Sequence, residues 1–322
     1  MTQIDTRLPP FVIGEGSPEQ IAQHIVTLYQ KFESESPSIE IIWNAAADSV
    51  ELERTSPFYK AGLSIAQALD AGQGTGIADG YHNTKHYVHV LLNVVYLIQR
   101  NQHSDNINMW LTMQERGKLL AAAIGHDFYY ELGGNKDSSG MPVPYRLENI
   151  AFQKVCEHLP AGEVDANDLN DIRVMIFGTD VSPASHAGAF VRAAHKHLFE
   201  NAPVPTATDI LQPVSIIFDN PRLARMTALL SDADIMASAG YTPEFGDNEA
   251  AKLRREWKMT ANEQDAAVQK IAFLDNIVGG RFTTPEAAFF KPNMDHIRLV
   301  AEAKARPIAL ATVPPKQDLV PQ

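Results

Sequence analysis

The sequence predicts an all-α protein built as one compact multi-helix domain. Three observations predict it. Apolar residues recur at spacings of three and four along most of the chain, alternating strand-like runs are scarce, and the Gly- and Pro-rich breaks between periodic stretches are short. With 322 residues, 45% hydrophobic and 20% charged, there is enough apolar material for a large core.

Taken in order, residues 17–32 open with Ser17 as a cap, Pro18 at the first helical position and Gln20 three residues after the cap. Ile21, Ile25, Leu28 and Tyr29 then fall on one face. Helical periodicity continues over 60–70, 84–100, 115–126, 146–158, 168–177, 187–199, 222–239, 248–278 and 284–304. The best strand candidates are FVI (11–13) and SIEIIW (38–43), a weak set. No repeat has a fixed period, and the GQGTG run (72–76) lacks the preceding strand and the GxGxxG spacing of a dinucleotide loop. Residues 1–80 read as packing helices of the same domain, 81–305 as its core and 306–322 as a loose tail.

The formal charge is −12 and no run of Lys or Arg stands out, which excludes a nucleic-acid polymer as partner. A small phosphorylated substrate remains compatible, because a bound cation supplies local positive charge. The single cysteine, Cys156, rules out an internal disulfide and a Cys-rich zinc motif. That usage, and a start without a long apolar core, point to the cytoplasm. No run of 18 apolar residues suggests a membrane span. A homodimer is left open.

Three segments carry candidate chemistry. In GYHNTKH (80–86), His82 and His86 lie four apart, so a helix beginning near Tyr81 puts them on one face. Such a pair suits two metal ligands, or one ligand beside an acid–base group. In LLAAAIGHDF (119–128), an apolar helix ends on adjacent His126 and Asp127. The pair either caps the helix and its following loop or ligates a cation, with Asp127 able to bridge to a second. In LLSDADIM (229–236), Asp232 and Asp234 interrupt an apolar helix; at a spacing of two they face different ways, and one should point inward.

Together these spell H…HD…D, with His86 and His126 40 residues apart and Asp127 and Asp234 107 apart. The order resembles the HD superfamily of metal-dependent phosphohydrolases. Six further matches, in order, resemble the class I cyclic-nucleotide phosphodiesterase catalytic domain. YHNTKH (81–86) is similar to its YHNxxH motif and AAAIGHD (121–127) to AAxxHD. RLENIAF (146–152) and MIFGTDVS (175–182) resemble LENHH and LATDMS, while ALLSDADI (228–235) and AFLDNIV (272–278) resemble CAD(L/I)S and GFIDxIV.

The resemblance implies an all-helical catalytic core and a concrete site. His86, His126, Asp127 and Asp234 would hold the tighter of two divalent cations, zinc; Asp234 is preferred to Asp232 because it follows Ala233. Asp127 would bridge to a second, more hydrated ion, Mg²⁺ or Mn²⁺, whose waters Glu148 orients. His82 would be the general acid, with Asn83, Thr179 and Asp180 supporting the ligands. Tyr81, Gln269 and Phe273 would contact substrate, Phe273 by stacking on a base. A metal-bridged hydroxide would then attack the phosphorus of a small phosphodiester, a 3′,5′-cyclic nucleotide or a relative, while His82 protonates the leaving oxygen.

Four departures from the family pattern stand out. HDxxHPG becomes HDFYYELGG, LENHH becomes LENIA, and the Ala-Asp after the second motif His becomes Tyr87-Val88-His89. The purine-reading Gln, three residues before the stacking Phe, is Lys270 here, with Gln269 one residue earlier and so turned by about 100° on a helix. Alternatives are an HD nucleotidase or phosphomonoesterase, a non-catalytic nucleotide-binding module, and a di-iron HD oxygenase. The last would recruit extra histidines from His89, His158, His186, His195 and His197, although HAGAFVRAAHKH (186–197) reads as an exposed helix. Arg281 and Lys291 are either phosphate-steering or solvated, and Met226, Met236 and Met259 read as core.

Overall fold

Most helices in the structure start where a Ser, Thr, Asn or Asp side chain can accept from their free N–H groups. The computed structural model describes residues 16–104, 106–182, 184–204 and 213–306. Helix α1 (Pro18–Glu35) carries the reciprocal Ser17–Gln20 capping box, and α2 (Ile39–Ser49) and α3 (Pro57–Asp70) are capped by Ser38 and Ser56. Next come α4 (Thr84–Gln102), capped by Asn83, and α5 (Met113–Gly125), with a second box from Thr112 and Glu115. The chain continues through α6 (Arg146–His158), α7 (Ala166–Phe177), α8 (Ala187–Glu200), α9 (Pro221–Ala239) and α10 (Pro243–Glu256). It closes with α11 (Glu263–Ala272), a π turn over Phe273–Ile277, α12 (Pro285–Ala288) and α13 (Lys291–Ala305). Among the described residues there is no strand, only an isolated bridge between Lys136 and Pro142.

Three helices form the centre. Every residue from His86 to Ile98 of α4 and from Gly117 to Gly125 of α5 is buried, as is most of α9. Helices apolar on all sides belong inside, and these three pack against one another. The others wrap them: α3, α6 and α7 lie on α5, α8 and α10 on α9, and α13 packs against α1, α10 and α11. No helix among the described residues is long and apolar enough to cross a membrane.

Several boundaries differ from the sequence expectations. SIEIIW is helical rather than a strand: Ser38 caps it and the Asp70 carboxylate accepts from the N–H groups of Ile39 and Glu40 at 2.7 and 3.0 Å. That holds the first turn so that Ile42, Trp43, Ala46 and Ala47 bury a helical face. The expected helix 248–278 is broken after Glu256, where Lys258 takes a left-handed φ of 54°, and 284–304 is broken at Phe289–Phe290. Met226 and Met236 are in the core, but Met259 is exposed. His195 lies on the buried face of α8, not on an exposed helix. FVI and residues 307–322 of the expected tail lie outside the described residues.

Two predictions follow from this packing. A Cβ on Gly62 would stand 2.1 Å from the ring of the fully buried Trp43. Gly62→Ala is therefore expected to cost about 1–3 kcal/mol by overpacking, reversing the roughly 1 kcal/mol that Gly→Ala usually contributes in a helix; urea denaturation at unchanged m-value checks it. His195 has neither ring nitrogen hydrogen-bonded, and burial together with the Arg225 charge lowers its pKa from 6.5 to about 4. The unfolded chain thus takes up this proton before the folded one does, and stability falls as pH drops from 6.5 to 4. His195→Phe is expected to flatten that window by up to about 3 kcal/mol, read as the change in stability between pH 7 and pH 4.

Candidate active site

The central helices place their polar residues at one junction. His86 sits in the first turn of α4, fixed because the Asn83 Oδ1 accepts from the N–H groups of Lys85 and His86. The Asn83 amide nitrogen ties the same turn to the Ala78 and Gly80 carbonyls. His126 and Asp127 follow the last turn of α5, and Asp234 comes from the middle of α9. His86 Nε2 and His126 Nε2 are 3.2 Å apart. Asp127 Oδ2 lies 3.2 Å from the first and 3.0 Å from the second. Asp234 Oδ1 lies 3.2 Å from His86 Nε2 and 3.5 Å from His126 Nε2.

This donor set fits a cation. His126 Nδ1 is 2.8 Å from the Ala123 carbonyl, which can only accept, so Nδ1 carries the proton and Nε2 presents its lone pair to the junction. Ligands about 2.1 Å from one ion lie about 3.0 Å apart at right angles and about 3.4 Å apart at the tetrahedral angle. The five separations above, 3.0 to 3.5 Å, match that spacing. His86, His126 and Asp127 form a mutual group able to hold a metal ion, and Asp234 joins through both imidazoles. Burial works against charge here, but the carboxylates outweigh it and raise the pKa values of both imidazoles, His126 well above the usual range. For Asp127 and Asp234, burial pushes up while the two histidines pull both carboxyls below the ordinary value.

Beside this cluster Glu148 is buried and accepts from the Asn135 amide at 2.9 Å. Burial, then the charges of Asp180 and Asp127, hold its carboxyl well above the ordinary range. Asp180 accepts from the backbone N–H groups of Tyr145 and Ser182, at 2.9 and 2.7 Å. The Thr179 hydroxyl is spent on the Ile176 carbonyl.

His82 lies at the edge of the cluster, its Nε2 3.9 Å from Asp127 Oδ2. Its Nδ1 is 2.6 Å from Oε1 of Glu256, whose side chain is fully buried and whose Oε2 accepts from the N–H groups of Tyr81 and His82 at 2.9 and 3.0 Å. Burial would raise the Glu256 pKa, yet the His82 contacts outweigh it and keep the group ionised. The proton on that bond therefore belongs to Nδ1. The Tyr130 ring stacks on His82 at 3.8 Å, nearly parallel, and its hydroxyl also bonds Glu256. Neither Glu256 nor Tyr130 was expected from the sequence. Glu256 is 174 residues from its partner, and Tyr130 comes from the divergent HDFYYELGG loop.

The other expected residues are placed as follows. The Tyr81 ring packs 4.4 Å from His86. Phe273 opens the π turn, half-buried, with its ring centroid 6.0 Å from Lys270 Nζ. Gln269 is exposed on α11, whereas Lys270 is buried and donates to the Ser238 and Gly246 carbonyls at 3.3 and 2.7 Å. No hydrogen bond or ring contact among the described residues brings Gln269 or Phe273 to the cluster. Asp232 points away from Asp234, accepting from the N–H groups of Thr283 and Thr284 and the Thr284 hydroxyl.

The extra histidines do not converge either. His89 stacks on Tyr29 with Nε2 3.7 Å from Glu33, His158 meets Ser64, and His197 meets the Ala202 carbonyl. His186 precedes α8 in a left-handed turn, and Arg281 and Lys291 are tied to Glu200 and Asp295.

An all-helical domain with a buried His–His–Asp cluster at its helix junction defines the class of protein. Comparison with solved structures narrows it to the fold of phosphodiesterase domains. The phosphodiesterase domain of the RhoPDE fusion protein from the choanoflagellate Salpingoeca rosetta superposes with a TM-score of 0.57 at 16% identity, covering 92% of this chain and 94% of that one. A second structure of the Salpingoeca rosetta rhodopsin phosphodiesterase domain gives 0.54 at 15% identity, covering 89% and 87%. LmjPDEB1 in complex with IBMX gives 0.53 at 16%, covering 83% and 86%. No protein-family model and no curated protein matches the sequence.

If these side chains ligate a divalent cation, removing one should weaken its binding while sparing the fold. His126→Ala and Asp234→Asn are each expected to lower divalent-metal affinity by at least about 10–100-fold, measured by elemental analysis after equilibration with zinc. Full metal content in both variants would rule these residues out as ligands.

Proposed function

We propose that this protein is a metal-dependent phosphodiesterase acting on a small phosphodiester, with a 3′,5′-cyclic nucleotide as the leading substrate. The observation that carries the proposal is the convergence of His86, His126, Asp127 and Asp234 on one point, with His82 anchored at its edge. His86, His126, Asp127 and Asp234 would hold the tighter cation, zinc being favoured by the imidazole donors, and Asp127 would reach a second, Mg²⁺ or Mn²⁺, whose waters Glu148 would orient. Cations held there would supply a water made nucleophilic near neutral pH and neutralise charge on the phosphate oxygens.

The remaining steps fall to the chain's own residues. His82 donates the proton on Nε2 to the leaving oxygen as its bond to phosphorus breaks. Glu256 fixes Nδ1 as the protonated nitrogen, and so aims Nε2 at the centre, while Tyr130 covers one face of the ring. Tyr81 packs on His86 and shields the other side of the cluster.

A second reading, an HD-type nucleotidase or phosphomonoesterase, is favoured by one observation. Lys270 holds the position of a purine-reading amide with its ammonium spent on two carbonyls, and Gln269 faces solvent. A panel of cAMP, cGMP, bis-p-nitrophenyl phosphate and nucleoside monophosphates separates the readings. Metal-replete protein should hydrolyse diesters in preference to monoesters. His82→Ala should keep its metal and lose about 10²–10⁴-fold with the alkoxide leaving group of a cyclic nucleotide, but far less with p-nitrophenolate, which needs no proton. Equal losses on both, or unchanged rates, would sink the assignment of His82. Nucleotide binding without turnover would mark a non-catalytic module.

A further inference from the structure

Helix α4 carries His86 and, on the same buried helix, two polar side chains that packing alone does not require. Tyr87 and Asn93 are fully buried, and burying a hydroxyl or an amide is costly unless hydrogen bonds offset it. Their partners lie beside the two acidic members of the cluster. The Tyr87 hydroxyl is 2.6 Å from the Asp127 carbonyl and 3.0 Å from that of Gly74. The Asn93 amide nitrogen donates to the Ala233 carbonyl at 2.7 Å, one residue before Asp234.

The two carbonyls that Tyr87 meets do not depend on its hydroxyl. The Asp127 carbonyl also accepts from the Tyr130 N–H at 2.9 Å, and the Gly74 carbonyl from that of Tyr129 at 2.8 Å. What Tyr87 adds is a tie between the start of α4 and the residue whose carboxylate meets His86. Asn93 makes the equivalent tie to α9. It follows His86 by seven residues, so two helical turns return it to nearly the same face. That face meets α9 twice, through His86 at Asp234 Oδ1 and through Asn93 at Ala233. The Asn93 Oδ1 accepts from the Tyr29 and Tyr241 hydroxyls. A carbonyl can only accept, so the amide nitrogen must face Ala233. Two carboxylates drawn to one pair of imidazoles repel each other, and a fixed backbone opposes that.

We propose that Tyr87 and Asn93 are positioning residues of the metal centre. From the helix that carries His86 they fix the backbone at Asp127 and at Ala233–Asp234, and so set both carboxylates against that imidazole. The inference rests on the metal reading of the site.

The test is zinc affinity, measured by competition with a chelator, together with the visible spectrum of the cobalt-loaded protein, which reports ligand geometry. Tyr87→Phe removes one hydroxyl and leaves no carbonyl unpaired. It is expected to weaken zinc binding by about 10–100-fold and to shift the cobalt bands, with circular dichroism unchanged. For Asn93 the comparison is Tyr29→Phe/Tyr241→Phe with and without Asn93→Leu, which orphans no tyrosine hydroxyl. Adding Asn93→Leu should have the same two effects. The urea midpoint of the metal-free protein is followed alongside. A purely structural role would move that midpoint and leave affinity and spectrum alone, and this outcome for either residue would overturn the proposal. Wild-type protein that binds no zinc would sink the metal reading and this proposal together, whereas equal zinc binding by wild type and variants would sink this proposal alone.

Discussion

Two buried imidazole nitrogens held 3.2 Å apart at a helix junction are the constraint on which this structure turns. Groups that can carry charge are costly to bury unless something of opposite sign meets them. Asp127 and Asp234 meet them here, each within 3.5 Å of both rings. The mutual pull displaces the titration of all four groups, the histidines upward and the carboxyls downward. The packing serves this arrangement. Because α4, α5 and α9 are apolar on nearly every side, they fix their backbones against one another and so hold in place the point where their polar residues meet.

The machinery around that point is assembled from distant parts of the chain for physical reasons that can be named. An imidazole that donates a proton from one nitrogen needs the other nitrogen held, and a buried carboxylate holds it more tightly than water would. Glu256 supplies this from the end of α10 while also accepting two backbone N–H groups of the 81–82 turn. One carboxylate thus fixes the backbone and the ring together. Tyr130 completes the arrangement, reaching the same ring from the loop after α5.

Much of this was legible in the sequence because it is local. Helical periodicity, Ser and Thr caps, the adjacent His126–Asp127 pair and the Ala233–Asp234 pair are short-range patterns, and the structure brings His86, His126, Asp127 and Asp234 together. What stayed hidden is non-local. Glu256 sits in a charged run of α10 like any solvated acid, and nothing nearby marks a partner 174 residues away. Helical spacing said only that Asp232 and Asp234 face different ways, the family resemblance favoured Asp234, and the fold turns Asp232 toward Thr283 and Thr284. SIEIIW alternates as a strand would, yet Ser38 and the distant Asp70 cap it as a helix. Thr179 and Asn83 were read as supports for the site, and each is spent on backbone groups, Asn83 at the turn that presents His86.

The charge balance bears on what the site selects. On the proposed reading, a phosphodiester would be an anion approaching a chain of formal charge −12, so attraction would have to come from the centre itself. Phosphate recognition of that kind is generic, because any diester presents the same oxygens. Discrimination has to come from the rest of the substrate, yet the position where a side-chain amide would read a purine holds Lys270, whose ammonium is turned into the core by two carbonyls. A buried lysine held in this way cannot swing out without leaving those carbonyls unpaired, which costs more than one new hydrogen bond returns. On that reading, shape selection would fall to Tyr81, Tyr130 and the exposed Trp257, aromatic rings that lie beside His86 and His82 and, for Trp257, against Tyr130.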